Sequence, residues 1–547
     1  MSRKRVIVLV VISLHAIALS MFLLFQDLRS PTVTEKYSDV TVSEARAMID
    51  STQSLVVLDF RTQSEHDSGH IRNSMLFLLP ELENRLYELN PNSEILIYCR
   101  SGNRSRMASQ ILVDNGFLHV FNMLGGILAW IDEGYPVYVK YLSIQRAIDD
   151  ANQGETIHVA SGIYYEQLIV NKTISIVGED RDTTVVDGEG LYTPLVIVSS
   201  GSMVDAFTFQ NCGWSTPFSH VAIYGDNNTV RNSRVVASNR PYGIYLFLSN
   251  GSKIVNNVIE DGEEYGIFLQ NSGNNIVSSN LIDRSKRHGI FVASNSNNNC
   301  ITSNEIKKAL NYGIDVFSSH NNVLSNNSIS GCDGAGIYLH GQSNGSLVWG
   351  NTVTSSKVGL NQFYSGVSKV FHNNFIGNTI SASSTSASSR WDGGYPGGGN
   401  YWDDYNCSDL YSGTHQDLAG SDGIADGRYV VDENNTDEYP LMAPVSFYGA
   451  GVVIVSNSVI TQFGLSHAQS TLSFSVAELD SATGFCRVAI PNNLTGDLWL
   501  GNFSVVVDGE PAQFSTWVDS TYTFIFFEHP YSEEGVIIMF EFKSQNS

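Results

Sequence analysis

A Gly-Ile pair recurs through the middle of the chain: Gly243-Ile244, Gly266-Ile267, Gly289-Ile290, Gly313-Ile314 and Gly336-Ile337, then Gly359-Leu360. The steps are 23, 23, 24, 23 and 23 residues. So regular a period restricts the segment to a stacked architecture. One repeat is too short to bury its own apolar face and must lay it on the next. A second ladder keeps the same rhythm: Asn256-Asn257-Val258, Asn280-Leu281, Asn304-Glu305, Asn327-Ser328 and Asn351-Thr352. Two or three short strands per period, with Asn and Gly at the corners, describe a parallel β-helix with one coil per period. Coils stack at about 4.8 Å, the spacing of hydrogen-bonded strands. Ile, Leu and Val then fill one apolar column, and Asn side chains hydrogen-bond from coil to coil. A helix over Ser143–Ala151, apolar at Ile144, Ala147, Ile148 and Ala151, is expected to cover the open strand edges of the first coil.

A chain of 547 residues is too long for one core, and four segments are expected. In residues 1–29, Ser2-Arg3-Lys4-Arg5 precedes an apolar run from Val6 to Phe25. That run is long enough to span about 30 Å of hydrocarbon as a helix. Basic residues keep their end in the cytoplasm. The expectation is a single-pass anchor in the cell membrane through residues 6–25, with the bulk of the chain extracellular. Residues 30–140 alternate helix and strand patterns, such as a helix over Ser43–Ile49 and a strand over Leu55–Phe60, which suits an α/β domain with a parallel sheet. Residues 141–444 hold the β-helix. Residues 445–547 carry strand-like runs at Val452–Val455, Thr471–Val476, Cys486–Ile490, Phe503–Val507, Tyr522–Phe527 and Gly535–Phe542, read as a β-sandwich. The net charge of −24 argues against a nucleic-acid partner. The six cysteines are scattered without a C-x-x-C pair, so neither a zinc site nor a redox dithiol is signalled.

Chemistry is spelled out in one stretch, Tyr98-Cys99-Arg100-Ser101-Gly102-Asn103-Arg104-Ser105. The apolar run Ile95–Tyr98 ends at the cysteine, and a helical pattern with Met107, Ile111 and Leu112 begins near Ser105. A loop between a strand end and a helix start is lined with backbone N–H groups, which cradle an anion. A thiol held there ionises more readily, and the thiolate is the nucleophile. Arg100 and Arg104 are expected to add fixed positive charge.

This loop resembles the active-site loop of single-domain rhodaneses, sulfurtransferases that carry sulfur as a cysteine persulfide. The resemblance covers about residues 38–138. It includes Asp59-Phe60-Arg61 with Glu65, the Gly69-His70-Ile71 turn, and Gly125-Gly126 followed by Trp130; Arg72-Asn73-Ser74 departs from the family's Pro-Gly-Ala. It implies that Cys99 holds the sulfur and that the loop Arg100–Ser105 binds it. Asp59 and Arg61 would support the fold. Four residues separate Cys99 from Arg104, where related phosphatases have five, so the short loop favours sulfur over phosphoryl transfer. The partners implied are a small sulfur donor and a thiophilic acceptor, with no cofactor required.

Residues 141–444 resemble right-handed parallel β-helices of the NosD and carbohydrate-binding-and-sugar-hydrolase type. The opening Ile144-Gln145-Arg146-Ala147-Ile148 and the closing Gly399-Asn400-Tyr401-Trp402-Asp403-Asp404-Tyr405 carry the likeness. The terminal segment resembles modules of archaeal surface proteins. Two further readings follow. In one, the β-helix grips carbohydrate beside an inactive or protein-binding rhodanese module, and Tyr242, Tyr265 and Tyr312 are outward aromatics. In the other, the chain delivers metal, and His288, His320 and His340 form a copper surface, although their spacings of 32 and 20 miss the repeat. Asp261, Asp283, Asp315 and Asp333 are the carboxylates available for sugar chemistry. Asp417, Asp422, Asp426 and Asp432 lie among Gly420, Gly423 and Gly427 and suit a structural Ca²⁺, though not at EF-hand spacing.

Overall fold

The computed structural model describes residues 37–542 apart from 215, 239, 387, 467–468, 478–482, 495–498 and 531–534. The run at 6–25 expected to anchor the chain lies outside the described residues. Among the described residues, no helix is long and apolar enough to cross a membrane. The chain divides into two compact units between Val139 and Lys140.

The first unit is an α/β domain. Its five strands lie in the spatial order Ser38–Val40, His119–Met123, Glu94–Tyr98, Val56–Asp59 and Met75–Leu76. Every pairing is parallel. The central strand explains why the sheet is covered on both sides: Ile95, Leu96, Ile97 and Tyr98 are all fully buried. Ile95 and Ile97 join one core with Ala108 and Leu112. Leu96 and Tyr98, pointing the other way, join a second core with Ile127 and Trp130. The helices Val42–Ser51 and Gln63–Asp67 each start at a threonine, Thr41 and Thr62, in a capping box closed by Glu44 and Glu65.

The second unit opens as a parallel β-helix. Three parallel sheets of 11, 10 and 10 strands run from Thr156 to Trp402, each coil giving one strand to each sheet. The Gly-Ile ladder is held in register, Ile244 to Ile267 to Ile290 to Ile314 to Ile337 to Leu360. The repeating glycine is there for space. A Cβ on Gly289 would lie 2.5 Å from Ile306 Cγ2, and one on Gly313 would lie 2.4 Å from Ile329 Cγ2. Glycine lets the isoleucine of the adjacent sheet fill the corner.

The asparagines form the polar counterpart. Buried Asn304 donates its backbone N–H to Asn327 Oδ1 at 3.0 Å and its Nδ2 to the Val277 carbonyl at 2.8 Å, while its Oδ1 accepts from Asn280. The ladder continues through Asn351, Asn373 and Asn400 and ends on Asp437 Oδ2, 2.8 Å from the Asn400 N–H. Burial pushes the Asp437 carboxyl up to about 7, against the donors from Asn400, Trp402 and Tyr439. At the other end the helix Ile144–Asp150 puts Ile144 and Ile148 into the column. Glu166 fixes it there by accepting the Ile144 N–H at 2.6 Å.

Two antiparallel five-stranded sheets follow. Ile454, Val488 and Ile525 of one and Phe474, Val505 and Ile538 of the other share one core. Val459–Ser466 and Phe514–Val518 are strands that the apolar-run reading omits. Each is the edge strand of its sheet and has no buried side chain, so neither shows a buried alternation. Arg487, fully buried, ties these sheets to the end of the solenoid. It donates to the Asp422 carbonyl at 2.6 Å and to the Pro396 carbonyl, with its guanidinium 4.8 Å from the Phe524 ring.

Candidate active site at the end of a parallel strand

The strand Glu94–Tyr98 delivers Cys99, only 1% exposed, to the floor of a short loop. Gly102, at φ 100°, reverses the chain into the helix Asn103–Asp114. The helix therefore begins two residues before Ser105. A left-handed residue can turn a strand into a helix this abruptly, and glycine adopts it freely. No side chain caps this helix. The Ser105 N–H of its first turn faces the sulfur instead, and ahead of the helix the Gly102 N–H donates to Cys99 Sγ at 3.2 Å. Burial pushes the Cys99 thiol up. The N–H and hydroxyl of Ser105, with the N–H groups of Ser101 and Gly102, more than offset this and leave it below the usual thiol range.

The two arginines of the loop part company. Arg100 is exposed. Arg104 does not stand as free charge in the anion loop: its Nη1 and Nη2 donate to Glu65 Oε2 and Oε1 at 2.9 and 2.8 Å. Arg104 holds the Glu65 carboxyl down at about 2. The fixed charge of Arg104 still acts on Cys99 through space, while its Nη1 and Nη2 donors are spent on Glu65. The role of Glu65, a partner for Arg104 from another helix, comes from the tertiary structure. The signal was Thr62-x-x-Glu65, a capping box that fixes where the carboxylate sits.

Asp59 and Arg61 form a buried support under the strand ends. Arg61 Nη2 reaches Asp59 Oδ2 at 2.7 Å and the Gly69 carbonyl at 2.7 Å. The Tyr98 hydroxyl donates to Asp59 Oδ2 at 2.9 Å and accepts from the Ile71 N–H at 3.1 Å. Tyr98 precedes the cysteine, so this network pins the residue on which the loop is hinged. His70 stacks on His66 with centroids 3.8 Å apart. Behind the loop, the Ile127 and Leu128 N–H groups donate to the Cys99 and Arg100 carbonyls at 2.9 and 3.2 Å.

On the solenoid the histidines behave otherwise than their spacing suggests. His288 and His340 lie on one outer face and flank Asp315. His340 Nε2 is 2.9 Å from Asp315 Oδ1, and His288 Nε2 is 3.5 Å from Oδ2. His320 sits at a corner, where its Nδ1 accepts the Asn344 N–H. Tyr242, Tyr265, His288 and Tyr312 stack face to face along the axis at 5.4, 5.1 and 5.0 Å. Asp261 and Asp283 both bind Arg284. The four carboxylates proposed for Ca²⁺ are dispersed into separate turns. Asp426 accepts from Ser408 and the Leu410 and Tyr411 N–H groups, Asp432 from Asn434 and Asn435, and Asp422 from the Ile424 N–H. Asp417 is exposed. Among the described residues no three His, Cys, Asp or Glu side chains are disposed to hold a metal ion. Asp422, Asp426 and Asp432 each already accept from backbone or side-chain donors.

A family model described as rhodanese-like domain matches residues 41–133. One described as periplasmic copper-binding protein (NosD) matches residues 149–308 and 222–407. YrkF of Bacillus subtilis is 37% identical over 92 residues, 17% of this chain and 50% of that protein. Thiosulfate sulfurtransferase 18 of Arabidopsis thaliana is 34% identical over 126 residues, 20% of this chain and 91% of that protein. A solved rhodanese-related protein from Thermoplasma volcanium is 32% identical, covering 19% of this chain and 100% of its own, with a TM-score of 0.18. The copper in the NosD description finds no matching donor set here. His340 is committed to Asp315, and the described residues do not fit a copper centre.

Proposed function

From a chain that belongs to the rhodanese family through residues 41–133 and continues as a NosD-type parallel β-helix, we propose a sulfurtransferase that carries sulfur as a persulfide on Cys99. The observation that supports it best is a buried cysteine whose sulfur takes the place of a helix cap and whose thiol lies below the usual range. The Cys99 thiolate attacks the outer sulfur of a donor such as thiosulfate. A Cys–S bond forms, the donor's S–S bond breaks, and sulfite leaves with the electron pair. The new terminal sulfur is anionic, and the N–H groups of Ser101, Gly102 and Ser105 are the donors placed to receive it. A thiophilic acceptor then attacks that sulfur and returns the pair to Cys99. With Cys99 only 1% exposed, small donors are favoured. No cofactor or metal enters the cycle. In this reading residues 6–25 anchor the chain in the membrane and the rhodanese domain works on the outer side.

One experiment covers both parts. Full-length protein should move sulfur from thiosulfate to cyanide, and the Cys99 peptide should gain one sulfur atom by mass spectrometry. Both signals should vanish in Cys99→Ser. In intact cells a membrane-impermeant maleimide, first shown to label Cys99 in lysed cells, should abolish the activity. A folded, reduced protein that neither turns over nor gains sulfur overturns the sulfurtransferase reading, and activity resistant to the maleimide overturns the topology.

A further inference from the structure

Glu65 lies 39 residues from Arg104 in sequence, on the short helix Gln63–Asp67. Its carboxylate does two things at once. Oε2 accepts the Thr62 N–H at 2.9 Å and the Thr62 hydroxyl at 3.0 Å, which fixes the carboxylate on its helix. Both oxygens then take Arg104 in a bidentate clamp at 2.8 and 2.9 Å. A planar guanidinium in such a fork is held in one orientation. Arg104 sits in the first turn of the helix that cradles the sulfur, five residues after Cys99, and the two feel each other electrostatically. Held on Glu65, the guanidinium aims Nη1 and Nη2 at a carboxylate and acts on the sulfur only through its charge.

We propose that Glu65 is a positioning residue that keeps the Arg104 guanidinium off the sulfur, so that the hydrogen bonds to the thiolate and its persulfide come from neutral donors of the loop. A full ion pair on the terminal sulfur would tighten the persulfide and slow its release to an acceptor. Neutral donors stabilise it less and leave it transferable. The inference rests on the sulfurtransferase reading for its purpose, but its test does not need turnover.

The test is the pH dependence of Cys99 alkylation by iodoacetamide in the full-length protein, followed on the Cys99 peptide by mass spectrometry. Glu65→Gln releases Arg104 and should move the midpoint down by about half a unit or more, roughly a three-fold gain in thiolate below the midpoint. The double variant Glu65→Gln/Arg104→Gln should cancel that fall. Arg104→Gln alone leaves an unpaired carboxylate near the sulfur and should move the midpoint up. Glu65→Asp, which keeps the charge, should stay near the wild type. With thiosulfate and cyanide, Glu65→Gln should lower KM for thiosulfate and lower kcat together. A midpoint that is unchanged or raised in Glu65→Gln shows a merely structural clamp and overturns the proposal. Should that variant fail to fold, an unshifted midpoint in Arg104→Gln does the same. Absence of sulfur transfer in the wild type would instead sink the functional reading and leave the alkylation result standing.

Discussion

At Gly126 an added Cβ would lie 2.5 Å from the Cys99 carbonyl oxygen and 2.7 Å from the Arg100 carbonyl. The contact is with backbone, which has no rotamer to escape into, and Gly126 also stands at φ 60°. Gly126→Ala should therefore push the Cys99 loop outward, at a cost of about 1–3 kcal/mol typical of overpacking. The N–H donors that depress the thiol move with the loop. The expected result is a raised midpoint for Cys99 alkylation together with a lowered melting temperature of the first unit; a melting change with an unmoved midpoint would show that the loop does not depend on this contact. Much of this site was legible in residues 98–105. A strand, a cysteine, a glycine and a helix follow each other in sequence, and the donors are backbone groups whose placement comes with those elements. The pairing of Arg104 with Glu65 is not legible there, for the opposite reason. Its partner is a side chain on another helix, and a contact between distant side chains leaves no local pattern.

A coil of the solenoid is stabilised by a column of Ile and Val inside and by rows of asparagine at the turns. Asn304 shows what one rung carries. It is 1% exposed, and it both donates to and accepts from its neighbours in the two adjoining coils. Asn304→Ala would orphan the Val277 carbonyl and the Asn280 amide in a site water does not reach. Each such loss costs about 1–3 kcal/mol, so a multi-kcal/mol fall in stability is expected by urea titration of the full chain. A fall under about 1 kcal/mol would mean that the ladder follows the stacking and does not enforce it. The glycine rows obey a different logic. They were visible as a period, but the reason for them, the isoleucine methyl 2.4–2.5 Å from where a Cβ would be at Gly289 and Gly313, belongs to the adjacent sheet. Similarly, His288 and His340 meet at Asp315 although their spacings miss the period. The outward positions of one strand are two or three residues apart, so residues one coil on plus two or three become neighbours; His340 is 25 residues from Asp315.

For the second unit as a whole, Arg487 joins the terminal sheets to the closing turns of the solenoid. Its guanidinium is desolvated, which makes it less basic, and it is met by the Asp422 and Pro396 carbonyls rather than by a carboxylate fork. Arg487→Met keeps apolar contact with the Phe524 ring but leaves two buried carbonyls without that donor. The sheets and the solenoid should then unfold in separate steps by calorimetry, where in the wild type the two are expected to unfold together; a shared, unshifted transition would show that other contacts couple them. By itself the sequence determined the repeating coil, the α/β order of the first unit and the chemical identity of the Cys99 loop. Periodicity and short-range order suffice for these, because each element is set by residues a few positions apart. Only the tertiary structure decided where the Arg104 guanidinium is held, where the histidines gather, and how the aspartates of residues 417–432 are used. Those depend on which side chains arrive at one point from remote parts of the chain, and a hydrogen bond already made there removes the group from any other task.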